Sequence, residues 1–153
     1  MESVEVSDNG SGVAREDVKM LTMKYATSKL RTFTDLEDGV DTFGFRGEAL
    51  SSLCGTCERL IITTRTSSDE EGVKVTFDKN GDVETEEICA RSVGTTVRVE
   101  KLFHPLPVRR KQFERNKAKE YAKLLRGLQG YALASETSGG RFGATHQQRK
   151  NGA

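Results

Sequence analysis

Two short stretches of this chain carry residue types and spacings suited to holding a planar base and a phosphate chain. The first is "SDNGSGV", residues 7 to 13. A base such as adenine presents an exocyclic amine, so a site selecting it needs an acceptor. Asp8, at the end of an alternating run, supplies a carboxylate there, and Gly10 and Gly12 let the backbone turn tightly and a flat ring approach. The second stretch is "FGFRGEAL", residues 43 to 50. The first amides of a helix lack internal partners and favour negative charge. Gly44 and Gly47, on either side of Arg46, would leave such amides uncovered for phosphate. Each stretch also has an ordinary reading: Asp-Asn-Gly is a common surface turn, and a glycine-started helix requires no ligand. Neither a G-x-G-x-x-G nor a G-x-x-x-x-G-K-[ST] pattern occurs, so dinucleotide-fold and P-loop sites are unsupported.

The elements that must position these residues follow from periodicity. Val4 and Val6 alternate before Asp8-Asn9-Gly10, which predicts a short strand ending in a turn. Val18, Leu21 and Tyr25 recur at helical spacing from Arg15 to Tyr25, with Glu16 and Asp17 in the first turn. Residues 26 to 45 are polar and weakly periodic, a connection long enough to suggest a lid. "RGEALSSL" predicts a helix beginning near Gly47. Strands follow in "ERLIITTRT", on both sides of Asn80-Gly81 in "GVKVTFDKNGDVETEEI", and in "GTTVRVEKL". An Asn-Gly between two alternating runs is a strong hairpin signal. A helix is expected from about Gln112 to Ala134, with Ala118, Tyr121, Leu125, Leu128 and Ala132 on one face. The segment from Ser135, residues 135 to 153, is glycine-rich and aperiodic and is expected to be disordered. Helices followed mostly by antiparallel strands imply an α+β sandwich with helices on one face.

The totals narrow the function classes. The length of 153 residues fits one domain, and 35% hydrophobic content suffices for a core with little margin. The net charge of +1 gives no whole-molecule attraction to nucleic acid or membrane, so any such attraction is local. The N-terminus lacks a basic segment followed by an apolar run, and no stretch has the length of a membrane span. An odd count of three cysteines suits a reducing compartment. Cys54-Gly55-Thr56-Cys57 has no second pair and no adjacent histidine, so both cysteines are expected to pack at a helix end. Arg115, Lys119 and Lys123 fall four apart on the long helix, opposite its apolar face. Such a stripe can neutralise DNA phosphates, and it can equally be a solvated charged face.

Taken in order, these features resemble the ATP site of the GHKL superfamily, which includes the gyrase B subunit, the large heat-shock chaperone, histidine kinases and MutL. Four longer stretches sharpen the resemblance: "YATSKL", "TFGFRGEALSSL", "GTTVRVEKLF" and "LPVRRKQFERNKAKEYAKLL". They are similar to the MutL mismatch-repair proteins, and specifically to the eukaryotic PMS-type homologues, from about Val4 to Ala134.

That resemblance implies a GHKL (Bergerat-type) α/β sandwich over residues 1 to 134, with a mixed, mostly antiparallel sheet, incomplete at its N-terminus. It implies ATP as ligand with Mg2+. Asp8 would accept the adenine amine, Gly10 and Gly12 would shape the pocket, and Thr95 would assist the base. Residues 26 to 45 would be the ATP lid, with Thr27, Ser28 and Lys29 at its core. Arg46, Gly47, Glu48, Ala49 and Leu50 would hold phosphates, Glu48 through its backbone. In the family, a helix before the first strand carries the general-base Glu and a magnesium-ligating Asn; this sequence begins at the strand. The expectation is therefore a truncated ATPase module with no catalytic or metal-ligating residue of its own and a tail unlike the family. The intact proteins act in the nucleus, bind DNA and pair with a second MutL homologue. The alternatives are a non-enzymatic DNA- or partner-binding fragment, or a GHKL domain of another branch, against which the wording of residues 102 to 124 argues.

Overall fold

The computed structural model describes residues 2–23, 48–136 and 142–147. Six strands form one sheet: β1 (Ser3–Asp8), β2 (Arg59–Arg65), β3 (Gly72–Phe77), β4 (Val83–Cys89), β5 (Gly94–Glu100) and β6 (Phe142–Gln147). Their order is β4-β3-β2-β5-β1-β6, and every pairing is antiparallel. The helices are α1 (Arg15–Val18), continued by a 3-10 turn over Lys19–Thr22, then α2 (Ala49–Cys54), α3 (Pro107–Arg115) and α4 (Lys117–Glu136).

Register turns the alternation read from sequence into a ruled surface. Val4, Val99, Leu60 and Phe77 form one row across β1, β5, β2 and β3, and Val6, Val97, Ile62 and Val75 form the next. Side chains two apart on a strand share a face, so both rows lie on one side of the sheet. Val18 of α1 and Cys54 of α2 close over the β2–β3 half of that face, where Leu60, Ile62 and Phe77 are fully buried. Each such side chain contributes about 1.5–3 kcal/mol by leaving water. The β1–β5 half is covered less tightly, and Val6 remains 40% exposed. There a cavity of about 500 Å³ separates Val4, Val6, Val97 and Val99 from Phe113, Tyr121 and Leu124 of α3 and α4.

Several expected elements differ. The first helix stops at Val18, with the 3-10 turn ending at Thr22, because the Thr22 hydroxyl donates across to Gly81 O at 2.9 Å and Met23 turns extended. The Asn80-Gly81 hairpin is present, but its connection is longer than a two-residue turn. Asp78 Oδ1 accepts the N–H groups of Asn80 and Asp82, at 2.8 and 2.9 Å, and thereby shapes a loop from Asp78 to Asp82. The long helix is two helices. It begins earlier, at Pro107, whose fixed φ and missing N–H suit a first helical position. It breaks at Asn116 (φ −103°, ψ 13°), a residue whose side chain competes for backbone bonds. The expected apolar face of α4 is largely exposed: Leu125 is 42% and Tyr121 38% accessible.

The expectation of disorder from Ser135 onward does not describe the whole segment. α4 continues to Glu136, and β6 adds to the outer edge of β1, from Ser3 opposite Gln147 to Asp8 opposite Phe142. An edge strand offers a row of unpaired N–H and C=O groups, and pairing can capture a segment lacking any periodic signal.

Candidate functional site

One position beyond the rows just described, the same sheet face carries polar side chains. Asp8 on β1, Thr95 on β5 and Thr64 on β2 lie side by side, Thr64 and Thr95 being direct partners in register. Asp8 Oδ1 accepts two backbone N–H groups, from Gly10 at 2.9 Å and from Thr95 at 3.1 Å. The first bond is the Asx turn of the ordinary reading. The second ties that turn to a strand 87 residues away, which a free-standing surface turn does not do. Among the described residues no donor reaches Oδ2, and Asp8 is exposed. One carboxylate oxygen is thus held in place, while no donor among the described residues holds the other.

The glycines allow this approach. Gly12 has φ +77°, and a Cβ there would lie 2.1 Å from Arg65 O. Gly94 has φ +131°, and a Cβ there would lie 2.3 Å from Asp8 O. Gly12 was among the residues singled out from sequence; Gly94 was not, and its only signal was a glycine directly before the Thr-Thr-Val-Arg-Val run. Gly10 is less constrained, since a Cβ there would meet only Asp8 Oδ1, at 3.1 Å.

Sequence reasoning also missed two side chains. Thr64 is fully buried and bonds to Val13 N, Gly94 O and Thr95 Oγ1. Arg91, half-buried, donates to Gly94 O (3.3 Å), Thr96 Oγ1 (3.0 Å) and Asp8 O (3.3 Å), while its own carbonyl accepts from Arg65 Nη1 at 2.8 Å. A planar guanidinium with several fixed donors suits such bridging between two strand ends.

Glu48, Ala49 and Leu50 lie at the start of α2, with Glu48 in the N-cap position and making no side-chain cap. Glu48 and Ala49 are exposed, whereas Leu50 packs against the core, so only its backbone is left for a ligand. No hydrogen bond among the described residues joins these three to the Asp8–Thr95 turn. Thr27, Ser28, Lys29, Arg46, Gly47 and the lid over residues 26 to 45 lie outside the described residues.

The basic stripe does not run on one helix. Arg115 ends α3, whereas Lys119 and Lys123 belong to α4 beyond the break at Asn116. All three are exposed, and Lys123 pairs with Glu120 at 2.9 Å. Cys54 and Cys57 are buried free thiols, and burial pushes both up to about 11, which makes them inert as nucleophiles at neutral pH. Among the described residues no group of three or more His, Cys, Asp or Glu is placed to hold a metal, and no helix is long and apolar enough to cross a membrane.

No family model matches the chain. Individual proteins do. The chain is 54% identical over 134 residues to the mismatch repair endonuclease pms1 of Dictyostelium discoideum, covering 88% of this chain and 13% of that protein. It is 48% identical over 146 residues to the mismatch repair endonuclease PMS2 of Gallus gallus, covering 95% of this chain and 16% of the relative. The second match takes in much of the segment after Ala134, which from sequence alone looked unlike the family. Among solved structures, the N-terminal domain of a DNA repair protein superposes with a TM-score of 0.70 at 40% identity, over 86% of this chain and 36% of that one. The Aquifex aeolicus MutL ATPase domain complexed with ADP superposes at 0.60 with 27% identity, over 88% of this chain and 44% of that one. The chain thus spans less than a fifth of the two relatives and less than half of the two structures. Identity of this order over nearly the whole chain, together with the shared fold, shows that this chain belongs to the MutL family of DNA mismatch-repair proteins, on its PMS-type branch, and corresponds to part of the GHKL ATPase domain.

Proposed function

We propose that this chain supplies the base-recognising wall of an ATP site that serves DNA mismatch repair. The observation that carries the reading is Asp8: one carboxylate oxygen is fixed by the N–H groups of Gly10 and Thr95, and the other, which no donor among the described residues reaches, would accept a base amine. Charged acceptors make the stronger hydrogen bonds, worth about 1.5–3 kcal/mol. Gly10 and Gly12 keep the turn low enough for a flat ring to lie against it, and Thr95 flanks the base. Phosphates would be held by the backbone N–H groups at Glu48, Ala49 and Leu50, together with Arg46 and Gly47, which precede them in sequence, and Thr27, Ser28 and Lys29 of the lid segment. The ADP complex of the Aquifex aeolicus MutL ATPase domain supports the nucleotide class. Mg2+ would accompany the phosphates; the described residues offer no ligand cluster for it.

The test is binding of a non-hydrolysable ATP analogue with magnesium to the chain and to its Asp8→Asn variant. The amide would turn an acceptor-only group into one that also presents a donor. Binding by the wild type and its loss in the variant is expected. Equal binding by both would remove Asp8 from the site, and absence of binding by either would remove the nucleotide reading. ATP turnover is a separate measurement on the same samples, and we assign no hydrolytic role to a residue of this chain.

A second reading concerns DNA and rests on the exposed Arg115, Lys119 and Lys123. Phosphate contacts of this kind are independent of base sequence and weaken steeply with salt. In the whole protein these surfaces would act in the nucleus, beside a second MutL homologue as heterodimer partner. Retention on duplex DNA that falls with salt, and falls further in the Lys119→Glu, Lys123→Glu double variant, is expected. Retention unchanged by those substitutions would assign DNA binding elsewhere.

A further inference from the structure

We infer that Thr64 is a positioning residue that orients the Thr95 hydroxyl as a hydrogen-bond acceptor and so sets the preference of the pocket for a 6-amino purine over a 6-oxo purine. This rests on the nucleotide reading above and deepens it.

The argument is an inventory of protons. Thr64 is fully buried on β2, beside Thr95 in register and in the same row as Asp8. Its hydroxyl has three partners: Val13 N at 2.8 Å, Gly94 O at 3.1 Å and Thr95 Oγ1 at 3.3 Å. A hydroxyl has one proton and two lone pairs. Gly94 O can only accept and lies nearer than Thr95 Oγ1, so the Thr64 proton is assigned to it. The Val13 N–H can only donate, so it takes one lone pair. The contact with Thr95 then uses the second lone pair, and Thr95 must be its donor. With its only proton turned inward to Thr64, the Thr95 oxygen offers nothing but lone pairs to a ligand. Asp8 likewise only accepts. These two side chains therefore present acceptors and no donor.

That polarity matches the amine of adenine, which donates, and opposes the carbonyl oxygen of guanine or hypoxanthine, which accepts. Thr64 touches no ligand in this scheme. It acts through Thr95 and the backbone of Gly94 on β5, and through the backbone of the Gly12–Val13 turn, which all bond to its oxygen or lie beside it. A valine at position 64 would keep the shape and free the Thr95 hydroxyl to rotate and donate.

The experiment measures the affinities of ATP and inosine triphosphate, each with magnesium, for the full chain and four variants: Thr64→Ser, Thr64→Val, Thr95→Val and Asp8→Asn. Wild type and Thr64→Ser are expected to prefer ATP. Thr64→Val should lose about three- to tenfold of that preference, the worth of one neutral hydrogen bond. Combining it with Thr95→Val should cost no more than Thr95→Val alone, since both act on one hydroxyl. A purely structural role would instead weaken both nucleotides equally and leave their ratio unchanged, which overturns the proposal. Should Thr64→Val fail to fold, Thr64→Cys, whose thiol is a weak acceptor, is read by the same ratio. Wild type and Asp8→Asn binding the two nucleotides alike, or neither, would overturn the nucleotide reading and this inference with it. Preference lost in Asp8→Asn but kept in Thr64→Val overturns the role of Thr64 alone.

Discussion

Replacing Gly94 by alanine should damage this protein in a way that sequence composition would not suggest. Gly94 opens β5 with φ +131°, a conformation that side-chain-bearing residues rarely adopt. The added Cβ would lie 2.3 Å from Asp8 O, 3.0 Å from Asn9 Cα and 3.1 Å from Asp8 C. All three are backbone atoms, so no side chain can swing aside. Relief requires moving the end of β1 away from β5 by about 1 Å, which is large for a close-packed interior. The conformational strain alone costs about 1–3 kcal/mol. The shift also breaks or lengthens the bonds from Thr95 N to Asp8 Oδ1 and from Arg91 to Asp8 O, both solvent-exposed and therefore each worth only about 0.5–1.5 kcal/mol despite a charged member. A total loss of about 2–6 kcal/mol is expected, against a typical stability of about 5–15 kcal/mol. Urea unfolding followed by circular dichroism reads this as a midpoint lowered by about 1–3 M, at a slope of about 2 kcal/mol/M. Gly127→Ala is the matched control: nothing lies within 4 Å of its Cβ position, and it sits inside α4. There alanine should stabilise by about 0.5–1 kcal/mol through helix propensity. Gly94→Ala within about 0.5 kcal/mol of wild type would refute the close approach of β1 and β5 on which the site is built.

Other expectations concern the core, the strand ends and the thiols. Phe77→Ala empties the centre of the β2–β3 core and should cost about 3–5 kcal/mol, read by the same unfolding curves. Arg91→Lys should lose about 1–3 kcal/mol, because a single ammonium cannot bridge Asp8 O, Gly94 O and Thr96 Oγ1 together; full stability of that variant would show the bridge to be idle. Burial raises Cys54 and Cys57 from 9.0 to about 11. A raised pKa means the folded state keeps protons that the unfolded state releases, so the stabilisation is complete below pH 9 and is lost as pH rises towards 11. The urea midpoint should fall across that window and should do so less in a Cys54→Ala, Cys57→Ala variant. Both thiols should also resist alkylation at pH 8 until the protein is unfolded.

Local pattern determined much of this molecule. The strands β2, β3 and β5 are legible because one face of each is buried, which forces period-two alternation on Leu60 and Ile62, on Val73, Val75 and Phe77, and on Val97 and Val99. Asp8, Gly10 and Gly12 are legible because a tight turn needs those residue types wherever it occurs. The long runs shared with MutL proteins told the family before any coordinates did. What the tertiary structure alone decided are relations between distant residues. Thr64 meets Val13 across 51 positions and Thr95 across 31, and Asp8 meets Thr95 across 87. Nothing in a strand labels which of its threonines will face another strand's turn, since that depends on register. β6 exists because β1 had an open edge, which leaves no periodic trace, whereas the break at Asn116 falls at a residue that competes for backbone bonds. Propensity and pattern act over a few residues; the polar row of Asp8, Thr95 and Thr64 is made by strand pairing, which brings together what the chain keeps apart.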